Sequence, residues 1–425
     1  MRIMEYLSEN ILAPLKEWTV WVQRENIRPD SQSTEEGEKL ICKRFGDSGK
    51  LLTVAEVEEG ATYEIRFTFS VEDMPHPKMS TRFIVDTYAA DDKAIQTEYA
   101  PKYEKNGDLY TATGTFVAMK GSAKAEVIAM IMSTDNGSLL VREASLRKIA
   151  PIPPRKVTVA AGFINCYENR DKETVGSRFE KILALCDKAG QQNIDMVSFP
   201  ESICYFMIPP KAKGEVAQPI PGPWTEALGE KAKQYGMYIL FNMSELGEDG
   251  LHYNTTVIMA RDGSLLGKYR KCHITYNALN NGSSWGNEYP VFDTDFGRIG
   301  TVTCFDQFFP ESIRALAVQG AEIVFVPTIG DGHIQLQARA MENSIYIVVP
   351  GVNHSKKSDQ PMSRIISPTG EILAGTCEDM GLAISTIDLN KPNSAFWFSV
   401  GARYGDKNQI TKLERRPETY GELMK

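Results

Sequence analysis

Three residues of this 425-residue chain each follow an apolar or extended run and precede a loop: Glu201 after MVSFP, Lys271 after KYR and Cys304 after GTVT. Strand ends of this kind aim side chains into a crevice in open α/β sheets. The three types form a working set. A free thiol, with a pKa near about 8.5, is mostly protonated at neutral pH and needs a base or a nearby cation. A carboxylate can take the thiol proton and later hand it to a leaving amine. An ammonium beside both can stabilise the oxyanion of a tetrahedral intermediate, worth roughly 3–4 kcal/mol per donor. The backbone N–H of Phe305 is the natural second donor. Taken singly, each residue has an ordinary reading: Cys304 as a buried structural thiol, Lys271 as a solvated strand-end charge, Glu201 as a carboxylate at a helix N-terminus.

Tyr205, Phe305, Phe308 and Trp285 neighbour these three and either line a pocket or belong to the core. His273, two residues beyond Lys271, offers a different chemistry, a cysteine–histidine dyad, or else it simply hydrogen-bonds its loop. The five histidines (76, 252, 273, 333, 354) show no ligand spacing, so no metal is expected. G-x-G-x-x-G, a Walker loop and G-x-S-x-G are absent, and no cofactor is expected.

The elements that must carry these residues differ between two halves. From about 40 to 150 the beat is two-fold: Tyr63, Ile65, Phe67 and Phe69 alternate with Glu64, Arg66 and Thr68. Phe83, Val85 and Thr87 continue it, with turn signals at EEG, MPHP, KNGD and DNG between runs. That rhythm predicts an antiparallel β-sandwich over 1–150. IAPIPPRK breaks any regular element, and 151–156 reads as a linker. Beyond it, VTVAAGFIN is a strand buried on both faces. Val175, Phe179, Ile182, Leu183, Cys186 and Ala189 share one helical face. PWTEALGEKAKQYG starts with Pro and stops with Gly, as a helix does. Hairpins are predicted at Asp262–Gly263 and Pro368–Thr369–Gly370. This alternation makes 157–390 an α/β domain.

Composition narrows the class. Hydrophobic content of 42% and charged content of 24% are ordinary for a globular protein. A net charge of −8 argues against nucleic acid or an anionic membrane surface as partner. Seven scattered cysteines without a C-x-x-C pair read as reduced thiols. With no signal-peptide pattern and no long apolar run, a cytoplasmic location is expected.

The second half, roughly 156–390, resembles the nitrilase superfamily of carbon–nitrogen hydrolases. The matching blocks are SFPES (198–202), GKYRKCHI (267–274), VFDTDFGRIGTVTCFDQFFPE (291–311), ARAMENSIYIV (338–348) and SRIISPTGEIL (363–373). The resemblance implies a four-layer αββα sandwich that pairs with a second subunit, as a homodimer or higher homo-oligomer. It also implies hydrolysis of a small amide, an N-carbamoyl amine or a nitrile through a thioester, with Glu201, Lys271 and Cys304 in the roles argued above. There is one departure. Many members carry a further Glu shortly after the lysine, whereas residues 272–287 contain no acid. Asn277, Asn280 or Asn281 could substitute as a hydrogen-bonding group. The missing acid is also the feature that favours a non-catalytic scaffold over an enzyme; a thiol peptidase or acyltransferase using His273 is the other alternative. The first half resembles, more loosely, jelly-roll modules, and exposed tyrosines such as Tyr88, Tyr99 and Tyr103 could stack on a sugar ring. The stretch 391–425 has aromatics without an evident place in the α/β core, and is expected at a subunit interface.

Overall fold

The computed structural model describes residues 4–167, 173–208, 216–330, 332, 334–352, 361–397 and 402–424. Two compact units emerge, one made of residues 1–153 with 392–425 and the other of residues 154–391.

The second unit holds the candidate site. Its first sheet runs, in spatial order, Leu265–Arg270, His252–Met259, Tyr238–Leu246, Met196–Ser198, Lys156–Gly162 and Leu382–Asp388. The three strands Lys156–Gly162, Met196–Ser198 and Tyr238–Leu246 are parallel, and antiparallel neighbours flank them. A second sheet runs Val291–Asp293, Arg298–Thr301, Ile323–Phe325, Tyr346–Val349, Ser363–Ile366 and Ile372–Thr376.

Side chains alternate across a strand, so each sheet has two faces to bury. Val157, Val159, Ala161, Tyr238 and Leu240 pack against Ile299, Ile323, Phe325 and Val348 of the other sheet. Ala160, Ile239 and Phe241, the intervening residues, face Ile182, Leu185 and Leu228 of helices Val175–Gly190 and Pro223–Tyr235. On the far side, Val324, Val326, Ile347 and Val349 pack with Ile313, Leu316, Leu336 and Ala340 of helices Pro310–Val318 and Ile334–Asn343. Three cores stacked in this order make the expected four-layer αββα sandwich.

Local signals explain the element ends. Thr174 and Ser177 cap the first helix reciprocally, each side chain bonding the other's backbone N–H. Helix Pro223–Tyr235 stops at Gly236, whose φ of 60° is the left-handed cap that glycine takes at least cost.

The described residues of the first unit are mainly β, with short 3₁₀ turns and two short α-helices, Pro77–Ser80 and Lys407–Leu413. Its chain passes between two sheets: Ser48–Glu56, Thr81–Tyr88 and Lys124–Met132 lie in one, while Thr62–Glu72, Leu109–Val117 and Ser138–Ile149 lie in the other. One core, including Leu40, Phe67, Phe69, Phe83, Val85, Val127 and Leu139, fills the space between them. Phe83 stands 4.6 Å from Phe67 and 4.5 Å from Phe69, ring to ring. WTVW supplies an edge strand, Thr19–Trp21, beside Ser48–Glu56.

Two expectations need revision here. Tyr99 and Tyr103 are not exposed platforms for a sugar: Tyr99 is buried and Tyr103 packs on Phe69 and Phe83. Tyr88 lies beneath the Arg403 guanidinium. Within the stretch 391–425, the described strands Ser394–Trp397 and Arg403–Asp406 have a place in the chain's own fold, extending the sandwich sheet beside Ala94–Tyr99. Aromatics paired within the chain's own sheet give no ground for placing this stretch at a subunit interface.

Candidate active site

Glu201 comes three residues after strand Met196–Ser198, Lys271 directly after Leu265–Arg270, and Cys304 three residues after Arg298–Thr301. Folding brings the acid and the amine together: Lys271 Nζ lies 2.7 Å from Glu201 Oε1, with Glu201 3% and Lys271 5% exposed. Cys304 is partly exposed and opens a 3₁₀ turn, Cys304–Phe308, with its own φ at +46°. A left-handed conformation at a residue with a Cβ costs on the order of 1–3 kcal/mol and persists only where the surroundings hold it. Ser202, directly after the acid, has the same conformation with φ +53°.

The electrostatics are those of a coupled cluster. Burial pushes the Cys304 thiol up to about 11, the Glu201 charge adds to this, and Lys271 with the Gly330 backbone opposes it. Burial by itself would lower the Lys271 ammonium. The Glu201 charge, with its hydrogen bond to Nζ and the nearby Asp306 charge, outweighs it and holds the lysine above its ordinary value. The thiol is therefore protonated and the lysine charged near neutrality.

The backbone of Lys271 is fixed from both sides. Its N–H donates to Asn254 O (2.9 Å) and its carbonyl accepts from Gly286 N–H (2.8 Å). Gly286 is required there, since a Cβ would lie 2.2 Å from Arg270 O. The Cys304 turn is held by Asp306, which is fully buried. Its carboxylate accepts from Thr303 N–H (2.8 Å), Tyr269 Oη–H (2.7 Å) and His273 N–H (2.8 Å). Burial and the Asp306 charge push the Tyr269 phenol well above its ordinary range, so it stays a donor. Gln307 ties the turn to the 328–332 loop through Gly330 O (3.1 Å) and Gly332 N–H (2.9 Å).

His273 is committed elsewhere. Its Nδ1 lies 2.9 Å from Asp306 Oδ1 and 3.1 Å from Tyr289 Oη, and its ring stacks on Phe309 at 3.8 Å. Among the described residues no hydrogen bond joins it to Cys304. His333 and His354 lie outside the described residues.

The remaining candidates fall in different places. Phe305 is the second residue of the 3₁₀ turn, a position whose N–H has no acceptor within such a turn. Phe308 and Trp285 are exposed, and Tyr205 is half-buried with its hydroxyl bonded to Ser202 Oγ at 2.9 Å. Asn277, Asn280 and Asn281 are exposed on the short helix Tyr276–Asn280 and its cap. The amide found on the Glu201 carboxylate is Asn254, whose Nδ2 donates to Oε1 at 2.8 Å. Sequence reasoning missed Asn254, Asn242 and Asp306. The only available signal was polar residues inside otherwise apolar strands, and an acid two residues after the cysteine.

Among the described residues, no helix is long and apolar enough to cross a membrane. The profile of the Carbon-nitrogen hydrolase family matches residues 158–395. A deaminated glutathione amidase of Synechocystis sp. is 34% identical over 227 residues, covering 48% of this chain and 83% of that protein. An omega-amidase of Homo sapiens is 31% identical over 225 residues, covering 48% of this chain and 80% of the relative. A nitrilase of Pyrococcus abyssi is 31% identical over 251 residues, covering 57% and 92%. Among solved structures, a double mutant of an amidase from Nesterenkonia sp. in complex with acrylamide shares the fold. Its TM-score is 0.51 at 19% identity, over 64% of this chain and 100% of the other. The chain belongs to the carbon–nitrogen hydrolase family within the nitrilase superfamily, and is a hydrolase of carbon–nitrogen bonds other than peptide bonds.

Proposed function

We propose that the α/β unit hydrolyses a small amide or N-carbamoyl amine through a thioester on Cys304. The observation that carries this reading is the buried Lys271–Glu201 pair, 2.7 Å apart, acting electrostatically on a thiol that burial keeps protonated. A protonated thiol needs a base at the moment of attack, and Glu201 is the carboxylate in reach. Glu201 takes the Sγ proton as sulfur bonds to the substrate carbonyl carbon. Lys271 Nζ and the Phe305 N–H hold the resulting oxyanion. Collapse breaks the C–N bond, Glu201 returns the proton to nitrogen, and ammonia or an amine leaves. Water then gives a proton to Glu201 and attacks the thioester. A second collapse expels the sulfur, which takes the proton back and frees the acid.

The position of His273 favours this over a cysteine–histidine mechanism, because its ring is engaged by Asp306, Tyr289 and Phe309. Amides are preferred to nitriles as substrates because two of the relatives described above are amidases. Phe308, Trp285 and Tyr205 are proposed to border the substrate. A homodimeric or larger assembly and a cytoplasmic location complete the proposal, on the sequence grounds given above.

The test is ammonia release from a panel of small amides, ureido acids and nitriles. Wild type is expected to release ammonia from an amide or ureido acid, and Cys304→Ala to release none above background. Equal turnover by the variant removes the nucleophile assignment. Failure of Cys304 to react with iodoacetamide supports a non-catalytic scaffold instead.

A further inference from the structure

We propose that Asn242, buried in the middle of strand Tyr238–Leu246, is a positioning residue that sets the hydrogen-bond polarity of the Glu201 carboxylate and joins all three triad loops. The inference rests on Glu201 acting as the base.

Asn242 is 1% exposed, and its amide makes three hydrogen bonds. Its Oδ1 accepts the Ser202 N–H at 2.9 Å. Its Nδ2 donates to Asn254 Oδ1 at 2.7 Å and to Thr256 Oγ1 at 3.0 Å. Each arm reaches a different part of the site. Ser202 follows the acid and has the left-handed backbone that must be held in place. Asn254 donates its own Nδ2 to Glu201 Oε1, and its carbonyl accepts the Lys271 N–H. Thr256 Oγ1 lies 3.1 Å from Thr303 Oγ1, on the residue before Cys304.

The order of donors and acceptors is forced. A backbone N–H can only donate, so the atom of Asn242 facing Ser202 must be the oxygen. The nitrogen then faces Asn254 and requires an oxygen there. Asn254 is left with its NH₂ toward Glu201. Without Asn242 the Asn254 amide would be held in this orientation by the carboxylate alone, with its own oxygen left without the Asn242 donor. Asn242 thus guarantees that the carboxylate meets a donor, which favours its ionised, base-competent form.

Removing Asn242 takes away the bond that fixes which end of the Asn254 amide faces Glu201. Among the described residues, Lys271, Cys304 and Tyr205 are the other titratable groups acting around Glu201. The experiment is the pH dependence of Cys304 alkylation by iodoacetamide, which needs no knowledge of the natural substrate. In Asn242→Ala the acid limb is expected to move up by about one pH unit, since a hydrogen bond to a charged group is worth about that much. Asn254→Leu should give the same shift, and the double variant no more than either alone. Thermal unfolding establishes that each variant is folded. Should Asn242→Ala not fold, Asn242→Ser, which keeps a hydroxyl near the Ser202 N–H, takes its place with the same expected shift.

An acid limb at the wild-type pH in the folded variant overturns the relay. So does a shift in Asn242→Ala that persists in full on top of Asn254→Leu, the behaviour of a merely structural residue. Glu201→Gln separates the two readings. If it alkylates with the wild-type profile, the base assignment itself fails. If it abolishes the limb while Asn242→Ala leaves the limb in place, only the relay fails.

Discussion

Two buried glutamates, one in each unit, have different partners. Glu201 in the α/β unit and Glu98 in the sandwich are 3% and 5% exposed. Glu201 lies against an ammonium and accepts a second donor from Asn254. Glu98, in strand Ala94–Tyr99, is acted on by burial, by the Gln96 amide at 2.9 Å and by the negative charge of Asp406. Burial dominates, and its acid is pushed up from 4.5 to about 8. A carboxylate removed from water thus becomes a neutral acid where another carboxylate is its neighbour. Glu201, equally deep, faces a cation instead.

Deleting the cation probes that contrast hardest. Lys271→Met should lower any amidase turnover by at least about a thousandfold, since it removes the proposed oxyanion donor and the partner of the proposed base together. It should slow Cys304 alkylation, because the thiolate loses its cation. It should also destabilise the α/β unit by about 3–5 kcal/mol in denaturant titration, because an unpaired buried charge is left behind. Retained turnover would mean that the ion pair is only structural.

Glu98→Gln examines the other member. A folded-state value near 8 against 4.5 unfolded means that the native state holds one extra proton between those limits, so stability falls as pH rises across that window. The amide should match wild type at pH 4.5 and exceed it by about 3 kcal/mol at pH 7. Thermal midpoints at both pH values check this, and parallel profiles for the two proteins would refute it. The smallest effect concerns Asp306, whose carboxylate accepts from the Thr303 and His273 N–H groups and the Tyr269 hydroxyl. Asp306→Asn turns one acceptor into a donor facing N–H or O–H groups. It should cost about 2 kcal/mol, read from the denaturant midpoint, with a slower Cys304 alkylation.

The parts of this arrangement readable in advance were those that local chain chemistry specifies. Alternating Val157, Val159 and Ala161, the Gly236 stop and the Gly263 turn each write their own element. Glu201, Lys271 and Cys304 were visible because reactive side chains at strand ends are conspicuous. Asn242 and Asn254 were not, because a polar residue in a strand ordinarily signals a solvent-facing side. Here the partners that satisfy them come from distant segments. The strands Ser394–Trp397 and Arg403–Asp406 were missed for a related reason. They are four residues each, too short for a periodicity to register.

Strand Lys156–Gly162 pairs along its whole length with Leu382–Asp388, placing Lys156 opposite Asp388. The hydrolase unit thus enters and leaves through adjacent positions on one sheet, like a loop drawn shut at its neck. A module closed in this way can be spliced into a host polypeptide without pulling the host's flanking segments apart, and the sandwich, whose final strands come only after residue 391, is such a host.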